Sequence, residues 1–224
     1  MSALIFSKLV SLRQFPLQWI IPVLLLACIP PATPLAGQHN NGAVIQPVLK
    51  KGVLLIASRH LVDPYFGQAV IVLTKYDRDG SSGIIINRRT ELPVSSTFPE
   101  IVKRLPILEN LYIGGPVASS RVSLLVQSSQ NIDGANEILK DIYHIDTQVL
   151  FQGMDFSSLA AANTRLYSGF AGWAPGQLEA EMQRGDWHIW QADAAIIFSQ
   201  APDELWGDLI DLASAKWVFA VKNP

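Results

Sequence analysis

Ser168-Gly-Phe-Ala-Gly-Trp-Ala-Pro-Gly-Gln-Leu-Glu-Ala-Glu-Met182 is the stretch whose reading decides the fold. Gly169, Gly172 and Gly176 let backbone approach backbone or ligand where a Cβ would clash, and Pro175 suits a first helical position. The pattern predicts a strand from Arg165, a tight turn, and a helix ended by Gly185. On that helix Leu178 and Met182 share one face, and Gln177, Glu181 and Arg184 another. Its start directs free N–H groups and a positive dipole end at the turn, where they can hold an anion or the turn's own carbonyls. Glu179 and Glu181 are two apart and point to different sides, which excludes a glycosidase-type acid/base pair. Both complement the helix dipole.

Downstream, Asp186-Trp-His-Ile-Trp190 alternates as a half-buried strand does. Leu205, Trp206, Leu209, Ile210 and Ala213 trace a helix stripe from Asp203, and Trp217–Val221 reads as a last strand. Upstream, Gly52–Ser58 is a continuous apolar run, as in a strand buried on both faces. Ala69–Tyr76 and Ile84–Ile86 form a hairpin joined by Asp77–Gly83. The aspartates of that link are not a calcium loop, because Ser82 and Arg88 stand where its glycine and glutamate belong. Phe98–Leu105 has helical spacing, Leu111–Ile113 is a strand running into the sharp turn Gly114-Gly-Pro-Val117, and Val122–Val126 is another strand. Ile138–Ile145 and Val149–Phe151 read as short strands and Phe156–Ala162 as a helix.

The 224 residues divide into three regions: an apolar leader over 1–36, a Pro- and polar-rich linker over 37–49, and one domain over 50–224. The leader carries Lys8 and Arg13 before an apolar run from Leu17 to Ile29, the length of a signal-peptide core and short for a membrane span. It predicts export or membrane tethering, with a mis-chosen start codon and a cytoplasmic protein as the alternative. Leu25-Leu-Ala-Cys28 resembles a lipoprotein box, which makes Cys28 a candidate lipidation site. Cys28 is the only cysteine, so disulfides within the chain and cysteine zinc sites are excluded. A net charge of -2 offers no general attraction for nucleic acid. His39, His60, His144 and His188 are scattered, and no metal or cofactor motif is present.

Several elements together resemble the YqgE/AlgH family. They are Gly52–Ala57, Asp63-Pro-Tyr-Phe66, Gly83-Ile-Ile-Ile-Asn-Arg88, Gly114–Val117, Arg121, and Gly169–Glu179 with Trp187. The resemblance runs from Gly52 to Ala213. It implies an α+β fold in which a bifurcated, mostly antiparallel β-sheet forms a pseudo-barrel with surrounding helices. It also implies a cytoplasmic setting and an association with regulation of alginate synthesis. The family's members have been called transcriptional regulators, with neither a recognised DNA-binding motif nor established catalytic residues. Two positions depart from the family pattern: Arg89 replaces a usual proline, and Phe170 a usual tyrosine.

The resulting expectation is a non-enzymatic binding or regulatory module. Its candidate surface comprises Asn87, Arg88, Gly114, Gly115, Arg121, Gly172, Trp173, Gly176 and Gln177, and its partner is a protein or a small anionic ligand. The alternatives are a hydrolase or nucleotide-handling enzyme with an unrecognised site, or a DNA-associated regulator. Nucleophile-elbow, P-loop and zinc-protease motifs are missing from the sequence. Clustered cations and a helix-turn-helix pattern, which DNA binding would call for, are missing too.

Overall fold

The apolar run after Gly52 becomes β1 (Val53–Ala57), every residue of it buried, as a strand covered on both faces requires. The computed structural model describes residues 48–146, 159 and 163–222. The leader, Cys28, most of the linker, the expected strand Val149–Phe151 and all but Leu159 of the expected helix Phe156–Ala162 lie outside the described residues. From β1 the chain continues through β2 (Val70–Asp77), β3 (Gly80–Ile85) and β4 (Arg89–Pro93). The helical turns α1 (Val94–Thr97) and α2 (Pro99–Val102) follow, then β5 (Asn110–Ile113), β6 (Val117–Gln127), β7 (Asn136–Leu139) and β8 (Ile142–Asp146). The last elements are β9 (Thr164–Trp173), α3 (Gln177–Arg184), β10 (Trp187–Gln191), α4 (Ala194–Ile197) and α5 (Leu205–Lys222).

The ten strands form one α+β sheet in the order β10-β1-β2-β3-β9-β6-β8-β7, with β4 and β5 off this path. Pairing is antiparallel apart from β5 with β9. The fork lies within β9. Leu166–Ser168 run between β5 and β6, whereas Ala171–Trp173 pair with β3. The path curls without closing: β10 and β7 end it, yet Asn136 on β7 donates from Nδ2 to the Thr74 carbonyl on β2 at 3.1 Å.

Period-two alternation sorts the side chains into three cores. Inside the curl, Leu54, Ile56, Val72 and Ile84 meet Leu125, Ile142 and Tyr167, closed by Leu205 and Leu209 of α5. Outside β1–β3, Leu55, Ile71 and Ile85 pack with Trp173, Leu178 and Trp187 under α3. Outside β6, β8 and β9, Leu124, Ile145 and Leu166 pack with Val94 and Ile101 of the two short helices. Close approach and backbone conformation together require the glycines beside the fork, Gly169 adopting φ +70°. A Cβ on Gly115 would lie 2.2 Å from the Phe170 carbonyl carbon, and one on Gly169 2.3 Å from the Gly115 oxygen.

Four local expectations are corrected. Trp217–Val221 continues α5 instead of forming a strand: a running helix satisfies each new amide within itself, whereas a strand needs an edge to pair with. Pro175 lies in the turn, because Gly176 at φ +77° cannot be helical and α3 opens only at Gln177. Phe98–Leu105 is not one helix, since Phe98 at φ −133° ends α1 and Pro99 opens α2. The link in the first hairpin is shorter than Asp77–Gly83, with Asp77 already paired to Gly80 and the Asp79 amide bonded to Asp77 Oδ1 at 2.9 Å. Among the described residues no helix is long and apolar enough to cross a membrane.

Candidate functional site

Asn87, Arg88 and Gly114, singled out in the sequence, bond to the backbone of other segments and not to one another. Asn87 is buried, accepting the Val70 amide on Oδ1 at 2.8 Å and donating from Nδ2 to the Gln68 carbonyl at 3.0 Å. Arg88 donates to the Gly67 carbonyl at 2.7 Å. The neighbouring Phe66 stacks on Trp173 with ring centroids 6.3 Å apart. The Gly114 amide donates to the Ser168 carbonyl at 2.8 Å, and its carbonyl accepts from Ile85 at 2.9 Å. Gly172 faces the Phe170 ring, while nothing lies within 4 Å of where a Gly176 Cβ would stand.

The helix start is closed on itself. The Gln177 amide donates to the Ala174 carbonyl at 3.0 Å, and its Oε1 accepts the Ala174 amide at 3.1 Å. The two carboxylates of α3 do more than face its dipole. Glu181 Oε2 accepts both indole N–H groups, Trp173 at 2.8 Å and Trp187 at 2.9 Å, and its Oε1 accepts Gln177 Nε2 at 3.0 Å. Glu179 accepts the Tyr76 hydroxyl at 2.7 Å, a bond that raises the phenol's pKa.

A cleft of about 410 Å³ opens nearby, where the β4–β5 edge faces the end of α4. Its walls carry Arg89, Asn110, Tyr112, Arg165, Phe198 and Gln200. Register explains the gathering. Arg89 is paired with Tyr112 across β4 and β5, and Tyr112 with Tyr167 across β5 and β9, two residues beyond Arg165. The Arg165 guanidinium lies 4.9 Å over the Tyr112 ring and 5.7 Å over Phe198. It donates to the Ile197 and Ser199 carbonyls at 3.0 and 2.6 Å, using part of a five-donor fork. With the Asn110 amide oriented to satisfy its neighbours, its oxygen accepts from Arg89 Nε at 2.8 Å. Glu109 is the acidic residue of the lining. Behind Tyr112, the Tyr167 phenol is raised in pKa by burial, which the Arg165 charge only partly offsets.

The family model described as AlgH-like (DUF179) matches residues 54–217. The chain belongs to the AlgH-like family. A UPF0301 protein of Chlorobaculum tepidum is 31% identical over 181 residues, covering 79% of this chain and 94% of the relative. One from Pelodictyon phaeoclathratiforme is 33% identical over 180 residues, with 79% and 93% covered. Among solved structures, protein DIP2367 from Corynebacterium diphtheriae superposes with a TM-score of 0.63 at 23% identity, over 73% of this chain and 87% of that one. The solution structure of AlgH from Pseudomonas aeruginosa gives 0.59 at 28% identity, with the same coverage. These descriptions name neither a ligand nor a reaction.

In this AlgH-like chain the cleft stands one residue beyond the Asn87-Arg88 pair picked out in the sequence. Neither Arg88 nor Trp173 lines it; Arg89 does, at the position where the family pattern expects proline. Arg165 was legible only as a cation inside a strand otherwise rich in aromatic and apolar residues. Glu181 had no sequence signal beyond its helix position, because the indoles it joins belong to two separate strands.

Proposed function

We propose that the domain is a non-enzymatic binding module whose ligand is a small anion seated between Arg89 and Arg165. The observation that carries this reading is the pair of guanidiniums, with Glu109 as the acidic residue opposing them, on the walls of one concave space. A carboxylate or phosphate accepts forked guanidinium N–H groups, while Tyr112 and Phe198 take a flat or apolar remainder. Asn87 and Arg88 serve the site from behind, fixing the strand end that carries Arg89. Gly114 and Gly115 are themselves buried, and the exposed run Pro116–Ser120 that follows them is then a surface for a protein partner.

The test is calorimetric titration with nucleotides, sugar phosphates and carboxylates. Arg89→Gln is expected to weaken the active compound about tenfold, the size of one lost charge-assisted contact. Arg88→Ala and Trp173→Ala, where folded, should retain binding. Heat from none of the panel, or equal affinity in Arg89→Gln, rejects the site. The 1–36 leader places the domain outside the cytoplasm or on a membrane in this reading. Fractionation with mass analysis of the native amino terminus separates cleavage, lipidation at Cys28, retention and a cytoplasmic product.

A further inference from the structure

The interior of the curled sheet changes character along its length. One face of β2 presents Val70, Val72 and then Thr74; the matching face of β3 presents Ile84 and then Ser82. On the opposite wall, β6 passes from Leu125 through Ser123 to Arg121, and β8 from Ile142 through His144 to Asp146. Strand alternation puts all of these on the inward side, so an apolar barrel-like core ends in a polar mouth. A pocket of about 140 Å³ occupies that mouth.

Several features mark it as built. β6 breaks register with β9 between Val117 and Val122, and Ala118 there adopts φ +48°, a conformation that costs a non-glycine residue about 1–2 kcal/mol. This irregularity brings Arg121 to the rim, where it pairs with Asp146. Thr74 and Ser82 hydroxyls face each other at 3.2 Å. His144 is in the wall, and its Nε2 is sealed from solvent with no hydrogen-bond partner among the described residues. A buried ring nitrogen left this way costs free energy unless something else completes it.

We infer that this mouth is a second ligand site, taking a short-chain carboxylate whose oxygens accept from Arg121, from the Ser82 and Ser123 hydroxyls and, once its ring turns toward the mouth, from His144. Volume sets the size: a cavity of roughly 150 Å³ holds a benzene-sized molecule, about six heavy atoms. Arg121 and Asp146 offset each other's charge in this lining, so the case for an acceptor ligand rests on donors: the part of the Arg121 fork beyond its bond to Asp146, the two hydroxyls and the His144 ring. Ile84 and Phe170 in the lining meet the alkyl end. Burial, with Arg121 adding to it and Asp146 opposing it, lowers the His144 pKa to about 4. The ring is therefore neutral at pH 7, with one N–H to give. This site shares no residue with the Arg89–Arg165 cleft and stands or falls separately.

The experiment follows the His144 ring carbon–proton resonance of the full domain during titration with acetate, propionate and pyruvate, with inorganic phosphate as a separate arm. A saturable shift is expected with the carboxylates, together with a rise in the His144 pKa as the bound anion favours its charged form. Arg121→Gln should weaken binding about tenfold, and Arg89→Gln should leave it unchanged. His144→Leu should abolish it, while His144→Gln, which keeps an N–H near the Nε2 position, should restore part of it in a ligand-observed titration. Shifts that never saturate, or that are the same in folded Arg121→Gln, overturn the proposal, as does a response to phosphate alone. A resonance unmoved by every carboxylate leaves an ordered water as the partner of Nε2 and also overturns it.

Discussion

Replacing Glu181 with alanine exposes how the Trp173–Trp187 core is held. Both indoles are almost fully buried, at 5% and 3% exposure, and both donate to the same carboxylate oxygen. Truncation leaves two buried N–H donors without an acceptor, at about 1–3 kcal/mol each, so roughly 4 kcal/mol of stability is at stake. For a domain of this size that corresponds to roughly 8–16 °C in Tm. Glu181→Gln keeps one oxygen for the two indoles but sets an NH2 against Gln177 Nε2, so it loses charge assistance and that exposed bond, about 1–2 kcal/mol in all. Urea unfolding followed by tryptophan fluorescence measures both, with the slope showing whether the unfolding reaction is unchanged. Phe66 stacks on Trp173 and meets Trp187 edge-on, so near-ultraviolet circular dichroism should weaken in the alanine variant and persist in the glutamine one. A Glu181→Ala midpoint within about 0.5 kcal/mol of the parent, at unchanged slope, would refute the reasoning.

Gly115→Ala should lose at least about 3 kcal/mol or fail to yield folded protein, since its Cβ meets the Phe170 backbone at 2.2 Å. Gly176→Ala has open space and only φ +77° to resist it, about 1–2 kcal/mol, and the same urea curves separate the two. The His144 pKa falls from 6.5 to about 4 on folding, so between these values the unfolded chain binds more protons and stability rises with pH. The contribution is complete above pH 6.5 and is lost as pH falls toward 4, a loss of roughly 3 kcal/mol that is absent from His144→Gln. Unfolding curves at pH 7, 5.5 and 4 check it. Arg165→Lys cannot reproduce a planar fork bonded to Ile197 and Ser199 carbonyls between two rings; about 2 kcal/mol should be lost, with amide exchange faster over 194–199.

Local pattern carried much of the fold. The buried run at Val53–Ala57, the hairpin partner Val70–Asp77 and the helix stripe of Leu205, Leu209 and Ile210 are legible because alternation or helical spacing within a few residues already specifies them. The glycine-rich stretch at Gly169–Gly176 was also legible as a place of close approach, and Gly115 against Phe170 is that approach. The reading failed where a short window fits two structures. Trp217–Val221 suits a strand by composition, but it follows a helix already under way.

The candidate sites were less legible. Asn87 and Arg88 carry the chemistry of an anion site but spend it on the Gln68, Val70 and Gly67 backbone. Arg89 and Arg165 share a cleft only because β5 runs parallel to β9 and sets Tyr112 beside Tyr167.

By itself the sequence determined the strands, the helix stripe, the family motifs and the glycines that permit contact, all of which depend on neighbours within one or two turns of chain. Tertiary structure alone decided that Glu181 would join two indoles, that two arginines would face one cleft, and that His144 would lie in the wall of a polar mouth. Those outcomes depend on strand register and on where β9 forks, which are set by packing between residues far apart in the chain.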